Sequence, residues 1–127
     1  MKTVKINLTI ERGEDRKLWG TLSYNENLII DFAENIPDLE IKMKSLLKDF
    51  EGLESDQIKF VHHYDVYALF QRFDYLKISS IAKHAGMNAA LLRQYASGVK
   101  SPSLDQAKKI EQALHRLAAE LSEASVV

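Results

Sequence analysis

From Val4 to Ile10 every second residue is apolar: Val4, Ile6, Leu8 and Ile10 alternate with Thr3, Lys5, Asn7 and Thr9. Side chains on a strand point alternately to its two faces, so this two-residue period predicts a strand with one buried face. The polar run ERGEDR at 11–16 reads as a turn. A second strand is expected over about 17–24 and a third over about 28–33, with Asn25-Glu26-Asn27 as the hairpin loop between them. The period then changes. After Pro37, apolar residues fall at Leu39, Met43, Leu46, Leu47 and Phe50, the stripe of a helix that starts near the proline and is closed by Gly52. Residues 57–64 return to strand character, with Ile58, Phe60 and Tyr64 on one face. The expected order over 1–64 is β-β-β-α-β.

From 65 to 127 the pattern is helical throughout. Asp65 is placed to cap a helix carrying Val66, Leu69, Phe70 and Phe73. Ile78, Ile81, Ala82 and Ala85 form a short stripe that stops at Gly86, a residue suited to the left-handed position that closes a helix. Asn88 can cap the next helix, which runs to about Ser97 and is stopped by Gly98. Ser103 and Gln106 have the spacing of a capping box. The last helix repeats apolar residues at Leu104, Ala107, Ile110, Leu114, Leu117 and Leu121. The fold class expected is therefore α+β, with a β-β-β-α-β domain over 1–64 and an all-helical domain over 65–127.

Composition adds three constraints. At 127 residues with 46% hydrophobic content the chain can build one domain or two small ones. Cysteine is absent, so neither disulfides nor thiolate zinc sites hold the fold. The opening MKTVKINLTIERG lacks the apolar run of a secretory signal, and no later stretch is long enough to span a membrane, so a cytoplasmic protein is expected. Net charge is −1, but it is unevenly spread. Residues 1–74 hold ten Lys/Arg and fourteen Asp/Glu, while 75–127 hold seven and four. The +3 balance of the second part points to a polyanion partner there.

Two short helices joined by a tight glycine-containing turn form the helix-turn-helix pattern, whose second helix enters the DNA major groove. On the helix after Asn88, Leu92 and Tyr95 should pack inward, helped by Leu91. Ala90, Arg93, Gln94 and Ser97 share the opposite face, with Ala89 at its leading end. Small alanines allow close approach and contact with thymine methyls. Gln94 can pair with adenine, and Arg93 with guanine or phosphate. Lys77, Ser79, Lys83 and Lys100 lie near helix ends, where phosphate contacts set the register. A solvated face of an ordinary helical bundle is the competing reading of the same residues.

The stretch ISSIAKHAGMNAALLRQYASGVKSPSLDQAKKIEQAL resembles the lambda-repressor-like (Xre-type) helix-turn-helix, through Ile81-Ala82, Gly86, Asn88, Leu92, Tyr95, Gly98 and Pro102-Ser103. The resemblance implies that Ala89, Ala90 and Gln94 face bases and that Ser97 sits near phosphate. The chain departs from the family at Lys77-Ile78, where a Thr-Gln pair is frequent. The β-β-β-α-β part followed by such a motif resembles HicB-family antitoxins, although the NIPDLEIKMKSLL segment lacks the family's proline-glycine-containing motif. That second resemblance implies a degenerate ribonuclease-H-like first domain that covers a small basic ribonuclease toxin. It implies a second domain that binds operator DNA as a homodimer and represses its own operon.

Enzymatic chemistry is not expected. Glu11, Glu14, Asp15, Asp31 and Asp38 sit in or beside turns with no spacing that makes them converge on a metal ion. His62 and His63 are neighbours on a strand, point to opposite faces and cannot share one ion. His84 and His115 stand alone, and no phosphate-binding loop or hydrolase motif is present. No cofactor or metal is expected. Trp19, Phe60, Tyr64, Phe70 and Phe73 are each expected in the core. Two other functions stay open at this stage. One is an interaction module whose acidic first part holds a basic protein without DNA binding; the other is a metal-dependent nuclease using Asp31.

Overall fold

The computed structural model describes residues 2–127 and is α+β, with a four-stranded mixed sheet and five α-helices among those residues. The chain divides into two compact units, the first ending at Arg72 and the second running Phe73–Val127. Each is described by itself.

In the first unit, strands β1 (Val4–Arg12), β2 (Leu18–Tyr24) and β3 (Asn27–Ala33) precede helix α1 (Ile36–Glu51). A turn of 3-10 helix (Ser55–Gln57), strand β4 (Ile58–Tyr64) and helix α2 (Val66–Arg72) follow. The sheet order is β3-β2-β1-β4. β1–β2 and β2–β3 are antiparallel, whereas β1 and β4 run parallel, from Val4 opposite Ile58 to Ile10 opposite Tyr64. The two-residue period now has its reason. Ile6, Leu8 and Ile10 face the same side as Leu18 and Leu22, Ile29 and Ala33, and Ile58 and Phe60. Helix α1 lays Ile36, Leu39, Met43 and Leu47 on that side, and all of these residues form one core.

Helix α1 begins where Asn35 accepts a hydrogen bond from Asp38 N–H, has Pro37 in its first turn, and ends at the left-handed Gly52. Phe50, expected in its buried stripe, is exposed, and Leu46 is only half-buried. Periodicity fixes the phase of a stripe but not how far along the helix its partner surface extends. Gly20 of β2 lies under Leu39: a Cβ there would come 3.2 Å from both Leu39 methyls.

The β2–β3 turn has two residues rather than three, because Tyr24 pairs with Asn27. Asn25 and Glu26 both have positive φ, 48° and 64°, the primed turn that matches strand twist. The Asn25 and Asn27 amides both donate to the Glu51 carboxylate. Trp19 also departs from expectation, being half-buried on the sheet face away from α1. Its ring tilts against Phe32 with centroids 4.9 Å apart, and its Nε1–H donates to Asp15. Phe60 and Phe70 are buried as expected, and Tyr64 and Phe73 half-buried.

Asp65 ties α2 to the sheet. One carboxylate oxygen accepts from Ala68 N–H and caps the helix; the other accepts from Arg12 N–H at the end of β1. Its own N–H donates to the Ile10 carbonyl. With Ala68 fully buried in the sheet core, the first unit extends to Arg72 instead of closing at residue 64.

The second unit contains α3 (Ile78–Ala85), α4 (Ala89–Ser97) and α5 (Leu104–Glu123). Its buried residues are Ile81, Ala82, Leu92, Tyr95, Ala96, Ile110 and Ala113. Two expectations for α5 change. Leu104 and Leu121 are exposed, and Ala113 is buried in the stripe. A 20-residue helix is about 30 Å long, whereas the 8- and 9-residue helices of this unit span about 12–14 Å, so only part of α5 can be covered. The capping box is half formed. Ser103 Oγ accepts from Gln106 N–H, but Gln106 Oε1 is buried without a partner instead of reaching back.

Two outcomes test this packing. Gly20→Val should destabilise the protein by about 1–3 kcal/mol through overpacking against Leu39. Thr21→Val, one residue on and on the opposite face, should stay within about 0.5 kcal/mol. Urea midpoints measure both. The Asp15 carboxylate, accepting from Lys17 N–H and Trp19 Nε1–H, has its pKa lowered from the ordinary 3.8, chiefly by the Lys17 bond. A lowered pKa in the folded state contributes stability above the unfolded value that is lost as pH falls through the folded one. Emission of the single tryptophan should therefore change only below pH 3.8, and Asp15→Ala should remove that titration.

Candidate nucleic-acid interface

The link from α3 to α4 is built from main-chain hydrogen bonds. Gly86, at φ 68°, donates to Lys83 O, and Met87 N–H reaches back to Ala82 O. Only a residue without Cβ adopts that conformation freely. Two residues later Asn88 is extended, and its side-chain oxygen accepts from Ala90 N–H at 2.8 Å and Leu91 N–H at 3.2 Å. The link between the two helices is therefore three residues long, and α4 starts with its Ala90 and Leu91 amides satisfied. At the far end Gly98, at φ 81°, closes the helix on Tyr95 O.

Helix α4 turns Leu92, Tyr95 and Ala96 inward, with Leu91 half-buried. Ala96 was not foreseen, because alanine carries little periodic signal. Ala90, Arg93 and Ser97 are exposed, and Ala89 and Gln94 are half-buried. This is one face at the i, i+3, i+4, i+7 spacing. The Ser97 hydroxyl donates to Gln94 O at 3.2 Å, which leaves its oxygen as an acceptor. Lys100 N–H donates to the same carbonyl, so the loop after α4 is anchored to the helix.

The outlying residues do not form one cluster. Lys77 is the N-cap of α3 without a side-chain capping bond, and Ser79 is half-buried in its first turn. Lys83 is in the last turn, about 9 Å further along the axis. Lys100 belongs to the α4–α5 loop. Lys77, Lys83, Arg93 and Lys100 are all exposed, and every ion pair among the described residues lies in the first unit. Arg116 of α5 instead donates to the His84 carbonyl at 2.6 Å. Val99, between Gly98 and Lys100 in the loop after α4, is 72% exposed. A lone apolar residue in a loop has no period to reveal it.

The groups considered for catalysis are placed otherwise. His62 faces α1 and lies 2.6 Å from Glu40, whereas His63 contacts Asn7 on the bare face, so the two point apart. Asp31 accepts from Phe32 N–H, and Asp38 from the Asn35 amide. Among the described residues no three His, Asp or Glu side chains are grouped to hold a metal ion. A recess of about 330 Å³ opens beside Glu34, Asn35, Glu40 and Arg72. Three of its polar groups are already engaged: Asn35 caps α1, Glu40 meets His62, and Arg72 hydrogen-bonds Tyr64, whose hydroxyl pKa is raised mainly by burial.

Among the described residues, no helix is long and apolar enough to cross a membrane. No protein-family model, curated protein or solved structure matches the chain.

The cap and the turn carry the local geometry. Asn88→Ala should cost about 1 kcal/mol by leaving the Ala90 and Leu91 amides without their acceptor. Gly86→Ala should cost about 1–2 kcal/mol through the left-handed backbone. Amide exchange should show both losses in α3 and α4, with the sheet amides unchanged.

Proposed function

We propose that the protein is a sequence-specific DNA-binding regulator whose second unit is a lambda-repressor-like helix-turn-helix with α4 as its reading helix. One observation carries this reading. The face of α4 that bears Ala90, Arg93, Gln94 and Ser97 is presented to solvent at the end of a three-residue turn, while the opposite face is buried. A short rigid helix with small residues leading and hydrogen-bonding side chains following suits a major groove. The cations of α3 and the α4–α5 loop, none paired with a carboxylate, suit the flanking phosphates.

In this reading the chain is a HicB-like antitoxin. The second unit represses the operon as a dimer on paired half-sites. The first unit, with ten Lys/Arg against thirteen Asp/Glu up to Arg72, is a degenerate ribonuclease-H-like domain that covers a small basic ribonuclease. The chain itself catalyses nothing and works in the cytoplasm.

Fluorescence anisotropy with the promoter fragment upstream of the gene, titrated against salt and unrelated DNA, tests the reading. Binding should survive the competitor and weaken steeply with salt as counterions are released. Gln94→Ala or Arg93→Ala should cost about 1–3 kcal/mol at one base position. Lys83→Ala should weaken all sequences alike and reduce the salt slope by about one. Binding that vanishes with competitor, or that ignores Gln94 and Arg93, would leave only the first unit and its basic partner as the seat of function.

A further inference from the structure

The sheet has two edges, and they are protected differently. β4 carries Lys59, Val61 and His63 on the bare face, so two groups that can carry charge flank its one apolar residue there, 39% exposed. β3 carries Leu28 and Ile30 there, 63% and 50% exposed, and no charged residue. Exposed apolar edge strands pair with other strands unless charge, proline or a bulge prevents it.

The main-chain groups along β3 can be followed one by one. Tyr24 and Asn27 close the two-residue turn, so in an antiparallel ladder Asn27, Ile29, Asp31 and Ala33 bond towards β2. Leu28, Ile30 and Phe32 direct their N–H and C=O outward. Phe32 is already capped: its N–H donates to Asp31 Oδ1 at 2.8 Å, and its carbonyl accepts from Lys42 Nζ at 2.8 Å. The outward groups of Leu28 and Ile30 remain, two donors and two acceptors.

We propose that β3 pairs antiparallel with β3 of a second copy of this chain, about a two-fold axis at Ile29, joining the two sheets into one of eight strands. That register sets Leu28 opposite Ile30 of the second copy and Ile30 opposite its Leu28. All four free groups of each copy then bond, giving four interchain hydrogen bonds. It gathers the four apolar side chains on the bare face and sets Asp31 opposite Asn27, not opposite another carboxylate. A register centred on Ile30 would set Leu28 against the capped Phe32 and keep only two of those bonds. Pairing β3 with the edge of β4 would set Leu28 and Ile30 beside Lys59 and His63, and would not close. The apolar stretch at Leu28 and Ile30 therefore selects its own copy. This interface does not depend on what the second unit binds.

Light scattering on the full chain at about 100 µM, a concentration at which the dimer should form, reads the outcome. The mass should halve in Ile30→Lys and in Leu28→Lys with the far-UV spectrum unchanged. If the second units also associate, they hold the same two copies together when β3 is altered, and the cross-link below then reads the β3 pairing by itself. The chain has no cysteine, so Leu28→Cys/Ile30→Cys gives an independent measure. Opposed Cα atoms about 5.5 Å apart suit a disulfide, and oxidation should give a dimer band on a non-reducing gel. A single-chain mass for the unaltered protein, or no cross-link, would each overturn the proposal. Loss of DNA binding with the halving intact would count against the helix-turn-helix reading alone.

Discussion

The first unit depends on one constraint, the parallel pairing of β1 with β4. Parallel strands cannot be joined by a tight turn, so the chain must travel from one end of the sheet back to the other. Here it does so through β2, β3 and α1. Because α1 returns over one face, that face must be apolar on every strand, and Leu8, Ile10, Leu39, Met43 and Leu47 are fully buried as a result. The other face receives no helix from this unit. It carries polar side chains, the exposed Leu28, Ile30 and Val61, and the half-buried Trp19 and Phe32, which cover each other there. The same crossover places β1 in the interior of the sheet and leaves β3 and β4 as edges, so the exposed strip of Leu28 and Ile30 follows from the connection.

The second unit obeys a different rule. Helices of eight and nine residues are too short to persist on propensity. They are held by ends and by a few inward residues: Asn88, Gly86 and Gly98 fix where each begins and stops, while Ile81, Ala82, Leu92, Tyr95 and Ala96 fill the centre. This leaves more than half of α4 outside the core. The reading proposed for α4 needs that economy, since a residue cannot pack inward and touch a base. Arg93 and Gln94 are available because Leu92 and Tyr95 carry the packing.

Much of this was legible in the sequence, for physical reasons that can be named. Period two and period 3.6 are local, and caps act over three or four residues. The strands, the main helices, and the roles of Asn35's neighbour Pro37, Asp65, Asn88, Gly86, Gly98 and Ser103 could thus be read from short windows. The outer face of α4 was equally local, and Ala90, Arg93 and Ser97 lie exposed as their spacing requires. What escaped is non-local. Asp65 caps α2 and also bonds Arg12, 53 residues away, and so draws α2 into the first unit. The exposure of Phe50, Leu104 and Leu121 depends on where a partner surface ends. Gln106 has the right spacing for a reciprocal cap, yet its oxygen is buried elsewhere.

The chain's net charge of −1 is a poor guide to its partner, and screening explains why. At physiological ionic strength a charge is felt over about 8 Å. A group near α4 therefore responds to the charges within that radius and not to the sum over 127 residues. The first unit holds ten Lys/Arg against thirteen Asp/Glu, and the second seven against five. Two units of opposite net charge nearly cancel in the total while each keeps its own local potential. Within the first unit the ion pairs Lys17–Glu34 and Lys48–Glu54 absorb part of its charge. Among the described residues no such pairing blunts Lys77, Lys83, Arg93 and Lys100, so the second unit keeps a local surplus of positive charge.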